Sequence, residues 1–376
     1  MGRWLCISLA LLTMGCGGDP PPLQQVPGVG PDAGMVELDP APSCPGGQSG
    51  EGHVWLGDPG VPQLVARRLH CLAGDGLLHG AFVDRIAPRG REPTQEASHR
   101  FRYPLDDPRR HEVQAYYEIV GMVAHYQPHL AFPTPAPVVV LLREQDSFAT
   151  SRYESSELSL GLGDVRPAAL PLPVVRHEYA HHLIKQHASK VPLLINESLA
   201  DYLAAERGDD PSILALDRLA LPAAMRENAE AMDLAARYLE RSVANEMVYP
   251  DDVMTEGELC EVFERAAEVF PPEVGLVPEA KLTRCRELDD EQKKRPEPHL
   301  AGRVLSGALW DLRQRLGGER VNALIFGLLS RSAELDRFLS LRAFGAGLAA
   351  VDALLHAGAD SATIREIFAT RGLPLD

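Results

Sequence analysis

The segment that most restricts what this chain can become is His177-Glu178-Tyr179-Ala180-His181. Residues four apart on a helix stand one turn above each other on the same face, so both imidazoles can reach a single ion. Glu178, between them, can lean toward the open position of such an ion. Val174, Val175, Leu183 and Ile184 flank the segment, which predicts a buried and therefore rigid helix. Pro173 stands near its start, where a missing N–H costs little. A core helix carrying two satisfied histidines would share this pattern, so the choice falls to the next element.

Asn196-Glu197-Ser198-Leu199-Ala200-Asp201 opens a second apolar-periodic helix that runs to about Glu206. Glu197 would supply a third ligand, giving two histidines and one carboxylate with the fourth position left for water, the donor set of a catalytic Zn2+ site. Asp201, one turn later on the same face, can accept a hydrogen bond from a ligand imidazole and fix its tautomer. Glu197 and Asp201 alone would also fit a solvated helix face; the two segments together point to zinc.

The composition is globular: 376 residues, 45% hydrophobic and 24% charged, enough material for a large core. The formal charge is −16, from 37 basic and 53 acidic residues. No basic stripe runs along the chain, which argues against a nucleic-acid partner. Met1–Gly15 reads as an export signal: Arg3, a short apolar run from Leu5 to Leu12, then small residues. It is too short to span a bilayer as a stable helix. Leu12-Thr13-Met14-Gly15-Cys16, followed by Gly17-Gly18, resembles the lipobox of bacterial lipoproteins. That likeness implies a lipid on Cys16 and a membrane as partner in the cell envelope; ordinary cleavage and free secretion is the alternative. From 16 to about 52 the chain is rich in Pro and Gly and nearly free of large apolar residues, so it reads as a tether.

Beyond the signal and the cleavage point, four cysteines remain: Cys44, Cys71, Cys260 and Cys285. Four allow three connectivities; pairing of neighbours, which closes two short loops, is the expectation. None of the four has metal-ligand spacing, and an exported chain favours disulfides over free thiols.

Short strands are predicted near Gln63–Ala66 and Ala81–Ile86, and a helix over Glu112–Tyr126, ended by Pro128, from apolar positions Val113, Tyr116, Tyr117, Val120 and Val123. Val138–Leu142 is a β-branched apolar run expected as a central strand. Glu157–Leu162 alternates as a half-exposed strand, and with one free edge it could take an extended peptide as an added strand. Past Glu206 the pattern is mostly helical, at Ile213–Ala224, Ala229–Val243, Pro298–Arg313, Glu319–Ser330, Gly347–His356 and Ser361–Thr370. Met254–Lys294 is charged, holds Cys260 and Cys285, and reads as a stapled surface insertion.

Three blocks carry a family likeness. They are the His177–His181 and Asn196–Asp201 pair, the run Pro298-His299…Gly302…Ala308-Leu309-Trp310-Asp311-Leu312-Arg313, and Asp352-Ala353-Leu354-Leu355-His356-Ala357 with Ile364…Ile367-Phe368-Ala369-Thr370-Arg371-Gly372-Leu373. Together, over about 112–376, they resemble the thermolysin-like zinc metallopeptidases with a glutamate third ligand, most of all the fungalysin family. The resemblance implies an α+β fold of two subdomains. An N-terminal mixed sheet with the zinc helix would cover 53–190, and a mainly helical part 191–376, with an insertion at about 253–297. It implies Zn2+ on His177, His181 and Glu197, Glu178 as general base, Asp201 behind the ligands, and a peptide or protein substrate. His299, at the mouth of its helix, is the candidate second oxyanion donor. His182 points about 100° away from His181 and is expected to pack; His187 could line the cleft.

This sequence departs from the family pattern in places. Only 15 residues separate His181 from Glu197, and none is a tyrosine that could hold an oxyanion. A long fungalysin propeptide does not fit between Gly52 and Glu112. Two other functions stay open: a catalytically inactive zinc-binding surface lipoprotein acting as a binding module, and a zinc hydrolase acting on something other than protein. Glu178 argues against the first, since holding zinc alone does not require it.

Overall fold

The computed structural model describes residues 41–56, 63–104, 106–131, 134–143, 152–161, 172–214, 241–269, 279–331 and 340–375. The expected export signal, the lipobox at Cys16 and most of the tether lie outside these residues, as do the bodies of the two helices expected over 213–243. The class is α+β, and the chain divides into two compact units. One holds residues up to Gln127 with Pro133–Val175; the other holds Pro128–Phe132 and nearly everything from Arg176 onward. The metal-type helix was expected with the N-terminal part. The division between the compact units falls within this helix, between Val175 and Arg176, so His177 and His181 lie in the second unit.

In the first unit, strands β1 (Gln48–Leu56), β2 (Gln63–Leu72) and β4 (Arg100–Phe101) form one sheet in the order β2-β1-β4. A second sheet has the order β3-β5-β7-β6, from Val83–Pro88, Val138–Arg143, Glu157–Gly161 and Arg152–Glu154. Helix α1 (Arg110–Tyr126) crosses between the parallel strands β3 and β5, the connection that parallel pairing demands. It packs against strands of both sheets. Its apolar positions Val113, Tyr116, Ile119, Val120 and Val123 are buried. Two of its buried polar side chains are matched: Gln114 accepts from the Trp55 N–H at 2.6 Å, and Glu112 accepts from the Thr94 N–H and hydroxyl at 2.9 and 2.6 Å. β5 is central as expected, with Val138, Val140 and Leu142 fully buried.

Two expectations fail here. The tether was to run to about Gly52, yet β1 begins at Gln48. Its glycines act as close-approach points: a Cβ on Gly50 would lie 2.7 Å from both the His99 carbonyl and Leu72, and one on Gly52 2.5 Å from Val113. Second, β7 is paired on both sides over Glu157–Ser159, by β5 in parallel and by β6 as an antiparallel hairpin. The turn uses Ser155 and Ser156 at φ 52° and 68°, where Asn-Gly would be the usual signal. Over Glu157–Ser159 the peptide-adding edge expected at Glu157–Leu162 is therefore occupied by the chain itself, and Leu162 lies outside the described residues.

The second unit is helical. From Arg176 it holds the rest of α2 (Leu172–His187) and then α3 (Leu193–Gly208), followed by the short antiparallel pair β8 (Ser212–Leu214) and β9 (Arg241–Ser242). The described ends of the two helices expected over 213–243 are thus strand. α4 (Glu256–Val269), α5 (Glu279–Glu287) and α6 (Asp290–Lys293) form the charged insertion, closed at its neck where Glu297 N–H donates to Met254 at 2.9 Å and Glu256 N–H to Arg295 at 2.8 Å. α7 (Pro298–Ala301), α8 (Arg303–Leu316), α9 (Gly318–Leu329), α10 (Leu341–His356) and α11 (Ser361–Thr370) complete it. α3 lies against α8 through fully buried residues such as Leu199, Leu203, Leu305 and Leu309.

Both expected disulfides are present, Cys44–Cys71 and Cys260–Cys285, and they point to an oxidising compartment. Among the described residues no helix is long and apolar enough to cross a membrane. Cys260–Cys285 spans 25 residues, so replacing both by serine should cost about 3.5 kcal/mol of stability by the chain-entropy argument. A urea midpoint unchanged from the oxidised wild type would show that the pairing contributes nothing.

Candidate metal centre

α2 stacks His177 and His181 one turn apart, with ring centroids 4.6 Å apart and planes at 85°. Their Nε2 atoms meet at 3.1 Å. Glu197, from the second turn of α3, brings Oε2 to 3.2 Å from His177 Nε2 and 3.6 Å from His181 Nε2. All three side chains are buried. One turn on, Asp201 Oδ1 lies 2.9 Å from His177 Nδ1. Asp201 is held ionised: burial would raise its pKa, but Arg241 and His177 bring it below the usual range. Nδ1 of His177 is therefore the protonated nitrogen, leaving Nε2 to face the cluster.

This donor set fits a metal ion. Glu197 Oε2 is buried and makes no well-formed hydrogen bond, although three imidazoles surround it. Tetrahedral coordination at about 2.0–2.1 Å gives edges of about 3.3–3.4 Å between donors, and the three distances here are 3.1, 3.2 and 3.6 Å. Among the described residues this is the one group of three or more whose donor atoms all lie close enough together.

The electrostatics agree. Burial would raise Glu197, but His299, His181 and His177 hold it well below the ordinary carboxylate value. Burial lowers His181 to about 4, against the field of Glu197; Asn196 also faces this ring and favours its protonated form. His177 is lifted to about 9, because its bonds to Asp201 and Glu197 outweigh burial. An ion would displace the proton from His177 Nε2, so metal and proton compete for the site.

Glu178 is 8% exposed and makes no hydrogen bond among the described residues. Burial raises its pKa to about 7, and it feels the charges of His177, Glu197 and His299. A carboxyl poised near neutrality in such a cluster can take up and return a proton.

His299 enters from α7. Glu297 caps that helix through the Leu300 N–H at 2.7 Å, Pro298 fills the first turn, and the other Glu297 oxygen meets His299 Nδ1 at 2.9 Å. This turns His299 Nε2 inward, to 3.4 Å from Glu197 Oε2. It lies outside the close group of three donors, so its reach is beside the ion position. Gly302 allows α7 this near to α3, since a Cβ there would sit 2.9 Å from Ser198 Oγ.

The other two histidines do different work. His182 is fully buried against Tyr179. His187 does not line the centre; its Nδ1 meets the Leu183 carbonyl at 2.8 Å and its Nε2 accepts from the Ala131 N–H at 3.1 Å. Sequence reasoning missed Arg241. Its Nη2 donates to Asp201 Oδ1 at 2.5 Å and lies 3.2 Å from His177 Nδ1. Nothing in its neighbourhood signals this, since Asp201 is 40 residues away. Glu297 was also missed, though an acidic residue directly before a helix-opening Pro298 is a cap signal.

No protein-family model matches the chain, and no curated protein matches it.

Proposed function

We propose that the chain is a zinc metallopeptidase, an endopeptidase of thermolysin-like two-subdomain build and most like the fungalysins, with His177, His181 and Glu197 as zinc ligands. The observation that carries the catalytic reading is Glu178, a buried carboxyl without a hydrogen bond among the described residues, standing between the two histidines of the donor group. Peptide as the substrate comes from the resemblance of the three sequence blocks. The disulfides and the lipobox-like run around Cys16 support an exported protein held in the cell envelope by lipid.

Zinc, when bound, would polarise the scissile carbonyl and lower the pKa of an attacking water to about 7. Glu178 takes the proton from that water at its carboxylate and returns it to the leaving nitrogen, whose bond to the carbonyl carbon breaks. His299 donates from Nε2 to the oxygen on which negative charge develops. Glu297 holds the far nitrogen of His299, and Asp201 with Arg241 holds that of His177, so neither ring needs to reorient during turnover.

The test is cleavage of an unfolded protein and of varied peptide libraries by the purified chain. Activity should track about one zinc per chain, vanish with a chelator and return with Zn2+. A chain fully loaded with zinc that cleaves none of these substrates would instead be a metal-binding module.

A further inference from the structure

We propose that Arg371 is a positioning residue for the metal centre: with Asn245 it forms a strut that fixes strand β9, and so seats Arg241 on the Asp201–His177 pair. The inference rests on the metal-centre reading above and extends it to a residue far from any ligand.

Arg371 follows α11 and is 5% exposed. Its Nε and Nη2 grip Asp311 Oδ2 at 2.9 and 2.7 Å, which ties α11 to α8. Its Nη1 points elsewhere, to Asn245 Oδ1 at 3.0 Å and the Met247 carbonyl at 3.1 Å. A guanidinium only donates, so it settles which way the Asn245 amide faces. The amide nitrogen is thereby aimed at the carbonyls of Ser242, Val243 and Arg303, at 3.0, 3.3 and 3.1 Å. Ser242 is the second residue of β9, and Arg241 is the first.

Arg241 depends on this backbone. Among the described residues only Nη2 of its guanidinium is engaged, on Asp201 beside His177 Nδ1, while its Nε is buried with no partner. A side chain held by one nitrogen takes its place from the strand that carries it. α8 leaves room for the strut at Gly307, where a Cβ would come within 2.9 Å of Arg371 Nη1 and 2.8 Å of Asn245 Oδ1.

Arg371→Lys keeps the charge for Asp311 but cannot also supply the fork to Asn245. Zinc affinity, read by competition with a chromophoric chelator, should weaken by roughly tenfold, the low end for residues that orient a ligand. The Co2+ absorption band of the substituted protein should change as well. Arg241→Gln should weaken zinc about 10–100-fold, and adding Arg371→Lys to it should cost nothing more, because the strut then has nothing left to seat. Gly307→Ala crowds the same bond from α8 and should repeat the loss and its dependence on Arg241, which covers an Arg371→Lys protein that fails to fold. Wild-type affinity in Arg371→Lys, or losses that simply add in the double variant, would overturn the strut while leaving the metal centre intact. A wild type that binds no zinc would sink the metal reading and the strut's role with it.

Discussion

Glu178→Gln should leave zinc bound and lower peptide turnover by about 10²–10⁴-fold, the usual worth of a positioned general base. Glutamine keeps the size and polarity of the side chain but cannot accept the proton from water. Nothing in the donor group depends on Glu178, since His177, His181 and Glu197 make their close approaches without it. The fold should also tolerate the change, because a neutral amide avoids the desolvation that raises this carboxyl to about 7. A bound dication would draw the carboxyl back down, so that it serves as a base at neutral pH. His299→Ala should likewise keep zinc and cost on the order of 10²–10³-fold, the worth of one oxyanion donor. With no tyrosine between His181 and Glu197, His299 is the donor the described site offers. The measurement is kcat/KM on one peptide beside the metal content of each variant. Equal rates for wild type and Glu178→Gln would remove the enzyme reading and favour the binding module.

The candidate donor group was legible because it lies on two adjacent helices, where spacing in the chain becomes spacing in the structure. His177, His181, Glu197 and Asp201 needed only the helical repeat. β5 was legible as a β-branched apolar run between two neighbouring strands, with Val138, Val140 and Leu142 buried and Val139 and Leu141 half-buried on the other face. What escaped depends on contacts between distant segments. Gly50 and Gly52 looked like spacer, but they serve close approaches to the His99 backbone and to Val113. The Ser155-Ser156 turn carries no glycine or asparagine, so the hairpin that closes the edge of β7 left no trace in the pattern. Arg241 stood inside the helix expected over Ala229–Val243 and could be recognised only once β9 brought it beside Asp201. The family likeness implied His299, but its orientation comes from Glu297, which only the cap geometry reveals.

Glu197→Ala should have the largest effect on the metal itself. Loss of an outer hydrogen-bond partner typically weakens a site 10–100-fold. Removing one of three protein donors should exceed that and leave a substoichiometric protein after gel filtration in metal-free buffer. Two imidazoles whose Nε2 atoms stand 3.1 Å apart would remain, with no negative charge between them to offset that of a dication. The protein should nonetheless stay folded. α2 and α3 keep the His177–Asp201 contact, backed by Arg241, and Leu199 and Leu203 keep their burial. Thermal unfolding with and without zinc separates the two effects. Wild type should gain about 2.7 kcal/mol at a zinc concentration 100 times its Kd, by mass action alone. Glu197→Ala should melt cooperatively at the same zinc concentration with almost none of that gain. One zinc per chain in the variant, together with the full wild-type shift, would mean that Glu197 is not a ligand and that the donor group must be reassigned.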